Sequence, residues 1–275
     1  MNDKKGGEKP PSGGPMDLKV DISAKRTIVV MSGKGGVGKS TVSTHIARGL
    51  ADRGKRVGLI DADLHGPNAP KMLGVDNLHP TADEDKIVPV QVNEYLSVIS
   101  MALLIESRDT PIIWRGPMKM KALQQFLQDV VWGELDYLVV DLPPGTGDEP
   151  LSIAQLLPPP ADAVIVTTPQ EVALLDSRKT INFASKLGMN VLGVVENMSG
   201  KMKCPNCGEE IDLFGSGGGK KAAEEFNVDF LGAIPIDPGM IKLTDAGLPA
   251  LADTTPAGKA IDDLVDRISS ILESS

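Results

Sequence analysis

Two short strings in this 275-residue chain hold side chains at spacings that do chemistry. The first, GKGGVGKST at 33–41, fits G-x-x-x-x-G-K-[ST]. Gly35, Gly36 and Gly38 let consecutive backbone N–H groups curve around a phosphate, and a following helix adds its positive N-terminal end. Lys39 is placed to reach the β- and γ-phosphates, and the Ser40 hydroxyl to ligate Mg²⁺. Gly33, Lys34, Val37 and Thr41 complete the candidate nucleotide-binding set, and the expected ligands are ATP and Mg²⁺. The bland alternative is a Gly-rich turn with no ligand. The second string, KMKCPNCGEE at 201–210, holds the only two cysteines, Cys204 and Cys207. Two thiolates three positions apart grip one side of a metal, whereas tetrahedral zinc and iron–sulfur clusters usually take four sulfurs. The chain carries half a site. On chemistry alone an iron–sulfur half-site and a zinc half-site fit about equally well. A redox pair fits the spacing, but it would want Cys204 at a helix start, and a Gly/Lys/Met loop precedes it. Lys, Asn and Glu neighbours argue against two buried structural thiols.

The elements that must position these groups follow a regular alternation. TIVVMS (27–32) is a compact β-branched run ahead of the Gly-rich loop, and the stretch after the loop repeats apolar residues one turn apart at Val42, Ile46 and Leu50 until Gly54. RVGLIDAD (56–63), YLVVDLPPG (137–145), AVIVTTP (163–169), VLGVVENM (191–198) and FLGAIPI (230–236) read as further strands, with helices expected at 120–131, 171–188 and from 256 to the C-terminus. Near-continuous apolar strands separated by helices predict a doubly wound, mostly parallel α/β sheet flanked by helices. The G-x-x-x-x-G-K-[ST] string between the first strand and its helix marks the P-loop NTPase class. Residues 88–100 are expected to add a peripheral strand or two. Residues 1–24, rich in Gly, Pro and Lys, read as a disordered leader ahead of one ATPase domain at 25–275.

Carboxylates fall where this architecture binds ligands. Asp141 ends the strand YLVVD, the place of a carboxylate that holds Mg²⁺, and Asp61 and Asp63 end GLIDAD beside the phosphate loop. A lone Asp at a strand end is ordinarily a helix N-cap, but three at the carboxyl ends of parallel strands make a poor set of caps. The formal charge of −9 leaves little basic surface for nucleic acid or anionic lipid, and 3% aromatic residues make no stacking platform. No apolar run approaches the length of a membrane span and two cysteines make no disulfide framework, so the expected setting is the cytoplasm.

The string SGKGGVGKST, with Lys34 just after its first glycine, resembles the deviant Walker A subclass that includes MinD, ParA and nitrogenase iron protein. That resemblance implies a face-to-face homodimer in which Lys34 reaches the partner's nucleotide. It assigns Asp63 to the hydrolytic water and Asp61 to the magnesium shell, roles that the residues alone leave interchangeable. It also places Asn197 where adenine is read, although a turn asparagine explains that residue nearly as well. DADLHGPN (61–68), WRGPM (114–118), DLPPGTGD (141–148), TTPQE (167–171) and ENMS (196–199) followed by CPNCG occur in order. Together they resemble the Mrp/ApbC family of iron–sulfur cluster carrier ATPases over residues 25 to 273. The resemblance implies slow, regulatory ATP hydrolysis and a labile [4Fe–4S] cluster bridging two Cys204/Cys207 pairs at the dimer axis. It also implies apo iron–sulfur proteins as clients, and a cluster donor. Trp114 and Arg115 then read as a packing or switch element. The rival readings are a MinD/ParA-like positioning ATPase, an electron donor like nitrogenase iron protein, and a dimer clasped by a structural zinc.

Overall fold

The structure, a computed structural model, describes residues 22–63, 66–83, 86–100, 103, 124–125, 127–204, 206–249 and 254–274. Its centre is an eight-stranded sheet. The strands are β1 (Ala24–Met31), β2 (Val57–Asp61), β5 (Val90–Asn93), β6 (Leu96–Ser100), β7 (Leu135–Asp141), β8 (Ala161–Thr167), β9 (Asn190–Ser199) and β12 (Phe230–Pro235). They lie in the order β12-β9-β8-β1-β7-β2-β6-β5. All neighbours run parallel except the edge strand β5, which turns back antiparallel on β6. Two small hairpins stand apart, β3 (Thr81–Asp83) with β4 (Lys86–Val88), and β10 (Lys201–Lys203) with β11 (Glu210–Asp212).

Side-chain alternation divides the sheet between two cores. Ile28, Val30, Leu59, Val139 and Val164 face one layer, and Val29, Met31, Ile60, Val140 and Ile165 face the other. The first layer holds α1 (Lys39–Asp52), α2 (Ala69–Met72), α6 (Pro238–Asp245) and α7 (Pro256–Ser274). The second holds α3 (Asp148–Leu156), α4 (Glu171–Lys186) and α5 (Gly218–Phe226). Because both faces are covered, the central strands show unbroken burial: β2 is buried at all five positions.

Several details depart from the sequence expectation. Ile22 is buried and β1 begins at Ala24, ahead of the expected start of the domain at 25. Residues 1–21 lie outside the described residues, as do His65, Trp114 and Arg115. Of the helix expected at 120–131, residues 124–125 and 127–129 are helical, whereas Val130 makes a parallel bridge with Ile87. No helix among the described residues is long and apolar enough to cross a membrane.

Helix α7 closes the first layer with a stripe of Ala257, Ile261, Leu264, Val265, Ile268 and Leu272, all buried. At its outer flank Arg53, just past α1, donates to Asp262 and Asp266 at 2.6 Å each. The apolar stripe carries most of the docking energy, since partly exposed ion pairs contribute little. Ile268→Ala is therefore expected to cost about 2–5 kcal/mol in urea unfolding, while Asp266→Asn should cost about 1 kcal/mol or less.

Candidate nucleotide and thiolate site

The phosphate loop lies at the carboxyl end of β1, next to the ends of β7 and β2. Register fixes its charged floor: Val30 and Asp61 each pair across the sheet with Asp141, so two carboxylates stand side by side on adjacent strands. The first residue of α1, Lys39, reaches across the loop and its Nζ donates to Asp141 Oδ1 at 2.6 Å; the two side chains are 6% and 0% exposed. The other oxygen, Asp141 Oδ2, is buried without a hydrogen-bond partner. An orphaned anionic oxygen beside a phosphate loop fits a metal with its water shell.

The loop leaves its amide groups available. Gly38, the residue before α1, sits at φ 83° in the left-handed region, and α1 has no side-chain cap. The N–H groups of the first turn are therefore unclaimed by any capping side chain and suited to anionic oxygen. Glycine is required at 38 twice over. The left-handed backbone disfavours a side chain, and a Cβ would stand 2.0 Å from Asn197 Nδ2. That amide donates instead to the Val37 carbonyl at 2.9 Å, so Asn197 braces the phosphate loop from the end of β9. Lys34 is half-buried and has no ion-pair partner among the described residues. Ser32 Oγ donates to the Lys34 carbonyl, and the Gly145 N–H donates to the Ser32 carbonyl, which pins the DLPPGTGD segment to the loop.

Asp61 is 1% exposed and ties its own loop together. Its Oδ1 accepts from the Asp63 N–H at 3.2 Å; its Oδ2 accepts from the Ala69 N–H at 3.1 Å and the Ser100 hydroxyl at 3.3 Å. Burial first, and the Asp141 charge second, push its carboxyl up to about 8, against the backbone N–H groups and the Lys39 ammonium. Asp63 is less buried, and its Oδ1 accepts from the Gly66 N–H at 3.2 Å. Lys39, Asp141 and Asp61 thus meet at the carboxyl end of the sheet, with Asp63 tied to Asp61, Ser40 next to Lys39 in the chain, and Asn197 bracing the loop.

The cysteines stand elsewhere, on the excursion that leaves β9. Cys204 follows β10 and Cys207 precedes β11; Cys204 is half-buried and Cys207 exposed. The tip is a tight knuckle in which the Cys204 N–H donates to the Glu209 carbonyl and the Gly208 N–H to the Cys204 carbonyl. Backbone N–H groups of Cys207, then Asn206, point at the Cys204 sulfur, and with the Cys207 thiol they lower its pKa toward thiolate. Thiolates held by amide donors on a two-strand knuckle suit a thiophilic metal or cluster. Among the described residues no third Cys, His, Asp or Glu completes a metal-binding group.

Sequence reasoning missed Glu196 and the glycine run at 215–219. Glu196 is buried at the end of β9 and accepts from the N–H groups of Gly217 and Gly219. A string such as GSGGGK reads as a linker, and only the lone acidic residue inside an apolar strand signalled otherwise.

Residues 23–269 match the family model described as ParA: NUBPL iron-transfer P-loop NTPase. The iron-sulfur cluster carrier protein of Methanocaldococcus jannaschii is 49% identical over 244 residues, covering 89% of this chain and 84% of that protein. The cytosolic Fe-S cluster assembly factor CFD1 of Kluyveromyces lactis is 48% identical over 239 residues, covering 85% and 83%. Among solved structures, the nucleotide-binding protein in complex with ADP from Archaeoglobus fulgidus is 40% identical with a TM-score of 0.69, covering 82% of this chain and 87% of that one.

Asp61 supplies a pH test. Its proton is held more tightly in the folded chain than in the unfolded one, where it leaves near 3.8. Its contribution to stability is therefore full below that pH and is lost progressively up to about 8. Thermal melts of nucleotide-free protein should show Asp61→Asn gaining on the parent as pH rises through this window, with the smallest difference near pH 4. A constant difference across the window would mean that Asp61 ionises normally.

Proposed function

The chain belongs to the ParA/NUBPL family of iron-transfer P-loop NTPases, and from that membership we propose that it is an ATP-binding carrier of iron–sulfur clusters. The observation that carries this reading is the pair of thiols on an exposed knuckle, hung from the strand whose Asn197 braces the phosphate loop. A chain with two cysteines supplies two of the four sulfurs that a [4Fe–4S] cluster usually takes, so the cluster is bound between two copies. Exposure suits the cargo: thiolates of an apoprotein replace Cys204 and Cys207 one at a time, iron–sulfur bonds exchange, and no net electron transfer is needed.

On the nucleotide side, the buried Lys39 and the open amides of the loop favour the β- and γ-phosphates of ATP, and the Asn197 side chain braces that loop through the Val37 carbonyl. Ser40 and Asp141, with Asp61 behind them, would hold Mg²⁺, which neutralises phosphate charge when bound. Hydrolysis breaks the bond between the γ-phosphorus and the bridging oxygen; Asp63 orients the incoming water, Lys39 balances charge on the phosphoryl oxygens, and the partner copy's lysine at position 34 adds to it. Turnover is slow and paces the cluster cycle. The membrane-cycling alternative is weakened by α7, whose apolar stripe is already buried against the sheet.

Metal analysis after anaerobic reconstitution tests the cargo. About two irons and two sulfides per subunit are expected, with both lost in Cys204→Ala and in Cys207→Ala while ATP binding persists. Zinc at about half per subunit without iron–sulfur absorption would make the pair a structural clasp instead.

Subunit mixing tests the trans lysine. Lys39→Ala should lower ATP turnover by about 10²–10³, and Lys34→Ala should spare single-subunit ATP binding while losing hydrolysis. Verified heterodimers of the two should regain one working site; none regained would place Lys34 outside the reaction.

A further inference from the structure

Both ends of the cysteine excursion are held by one buried side chain. Glu196, 1% exposed, accepts from the Ser199 hydroxyl and the Gly217 N–H at Oε1, and from the Gly219 N–H at Oε2, at 2.5, 2.9 and 2.5 Å. Ser199 stands at the entrance to the excursion, and Gly217 and Gly219 stand at its exit, where α5 begins. Between these ends the chain is mostly exposed from Lys201 to Phe214, so it has little packing of its own to set its direction.

The geometry needs an irregular strand. Residues three apart on a regular strand point to opposite faces. Here the pairing of β12 with β9 shifts register: Ile234 lies opposite Asn197 and Pro235 opposite Ser199. Met198 is the extra residue, at φ 57° in the left-handed region. The bulge returns Ser199 to the face of Glu196. Close approach completes the fit: a Cβ on Gly219 would stand 2.9 Å from the Cβ of Glu196, and one on Gly218 would stand 2.3 Å from the Pro169 carbonyl oxygen. An apolar residue would serve the sheet at this buried position equally well, so the carboxylate is there for the groups it gathers; the positive end of α5 offsets its charge.

The neighbouring residue faces the phosphate loop. Asn197 donates to the Val37 carbonyl, and the Met198 methyl lies 3.9 Å from where a Gly38 Cβ would stand. Three consecutive residues therefore join the nucleotide cleft to the base of the thiol excursion.

We propose that Glu196 is the positioning residue of the Cys204/Cys207 pair, and that the 196–199 segment passes the occupancy of the phosphate loop to the thiols. This rests on the carrier reading and adds its regulation. A filled loop steadies Asn197, the bulge and the carboxylate clamp, and so the knuckle opens less often. An empty loop lets it open.

The test uses the full-length, metal-free chain and reads the alkylation rate of Cys204 and Cys207 by iodoacetamide, with and without saturating Mg·ADP. Size-exclusion chromatography is used to select a concentration at which parent and variants are the same species. Mg·ADP should slow alkylation of the parent by about three- to tenfold, the kinetic equivalent of one net hydrogen bond. Glu196→Gln keeps the shape and loses an acceptor; it should bring that ratio to near one while calorimetry shows ADP affinity within about threefold of the parent. Ser199→Ala, which leaves the carboxylate intact and serves if the first variant does not fold, should at least halve the ratio. An unchanged ratio in either folded variant, or no effect of Mg·ADP on the parent, overturns the proposal. No cluster is loaded or delivered, so a chain that fails to carry clusters would still give this result.

Discussion

The nucleotide cleft depends on an ion pair that the fold keeps out of water. Lys39 and Asp141 meet at 2.6 Å with almost no exposure, and Asp61 lies beside them in register on the next strand. Burying such a pair offsets most of its Coulomb attraction by desolvation, and an apolar pair would stabilise the sheet as well or better. Its retention makes sense as a place prepared for a ligand. Asp141 keeps an unpartnered buried oxygen, burial and the Asp141 charge push the Asp61 carboxyl up to about 8, and the first turn after the loop has no capping side chain. Each of these is a local cost that bound phosphate and metal would relieve.

The two chemical centres differ in the medium they occupy. The carboxylates and lysine of the cleft are enclosed, where charge interactions are strong. The thiol pair stands at the surface, with Cys207 exposed and Cys204 half-buried. One strand serves both: β9 meets the cleft through Asn197 and the excursion through Glu196, on opposite faces of the same backbone. The bulge at Met198 is what permits two such different neighbours within four residues.

Much of this was legible in the residues. The phosphate loop is a local signal, since its spacing and glycine positions report backbone shape directly, and the strands announced themselves because burial on both faces leaves apolar runs without alternation. Asp61, Asp63 and Asp141 were readable as strand-end carboxylates. The insertion of β7 between β1 and β2 was not, because strand order is decided by which helices cover which face. The hairpin around Cys204 and Cys207 was hidden for a different reason: its strands are three residues each and mostly exposed, too short and polar for periodicity to show. The partner of Asn197 lies 160 positions away, and the two glycine N–H groups that Glu196 accepts from lie 21 and 23 positions away, beyond any local pattern. That Asn197 braces the loop backbone could only be seen once the chain was folded.

The Gly200 N–H donates to the Gly215 carbonyl at 2.8 Å, closing the neck of the thiol excursion with a backbone bond. Chain ends that already meet can be bridged by a short turn, and the loop between them contributes few buried side chains to either core. The excursion is therefore a cassette. It can be lengthened, exchanged or lost at little expense to the ATPase fold beneath it, which lets one nucleotide engine acquire different cargo heads over evolutionary time.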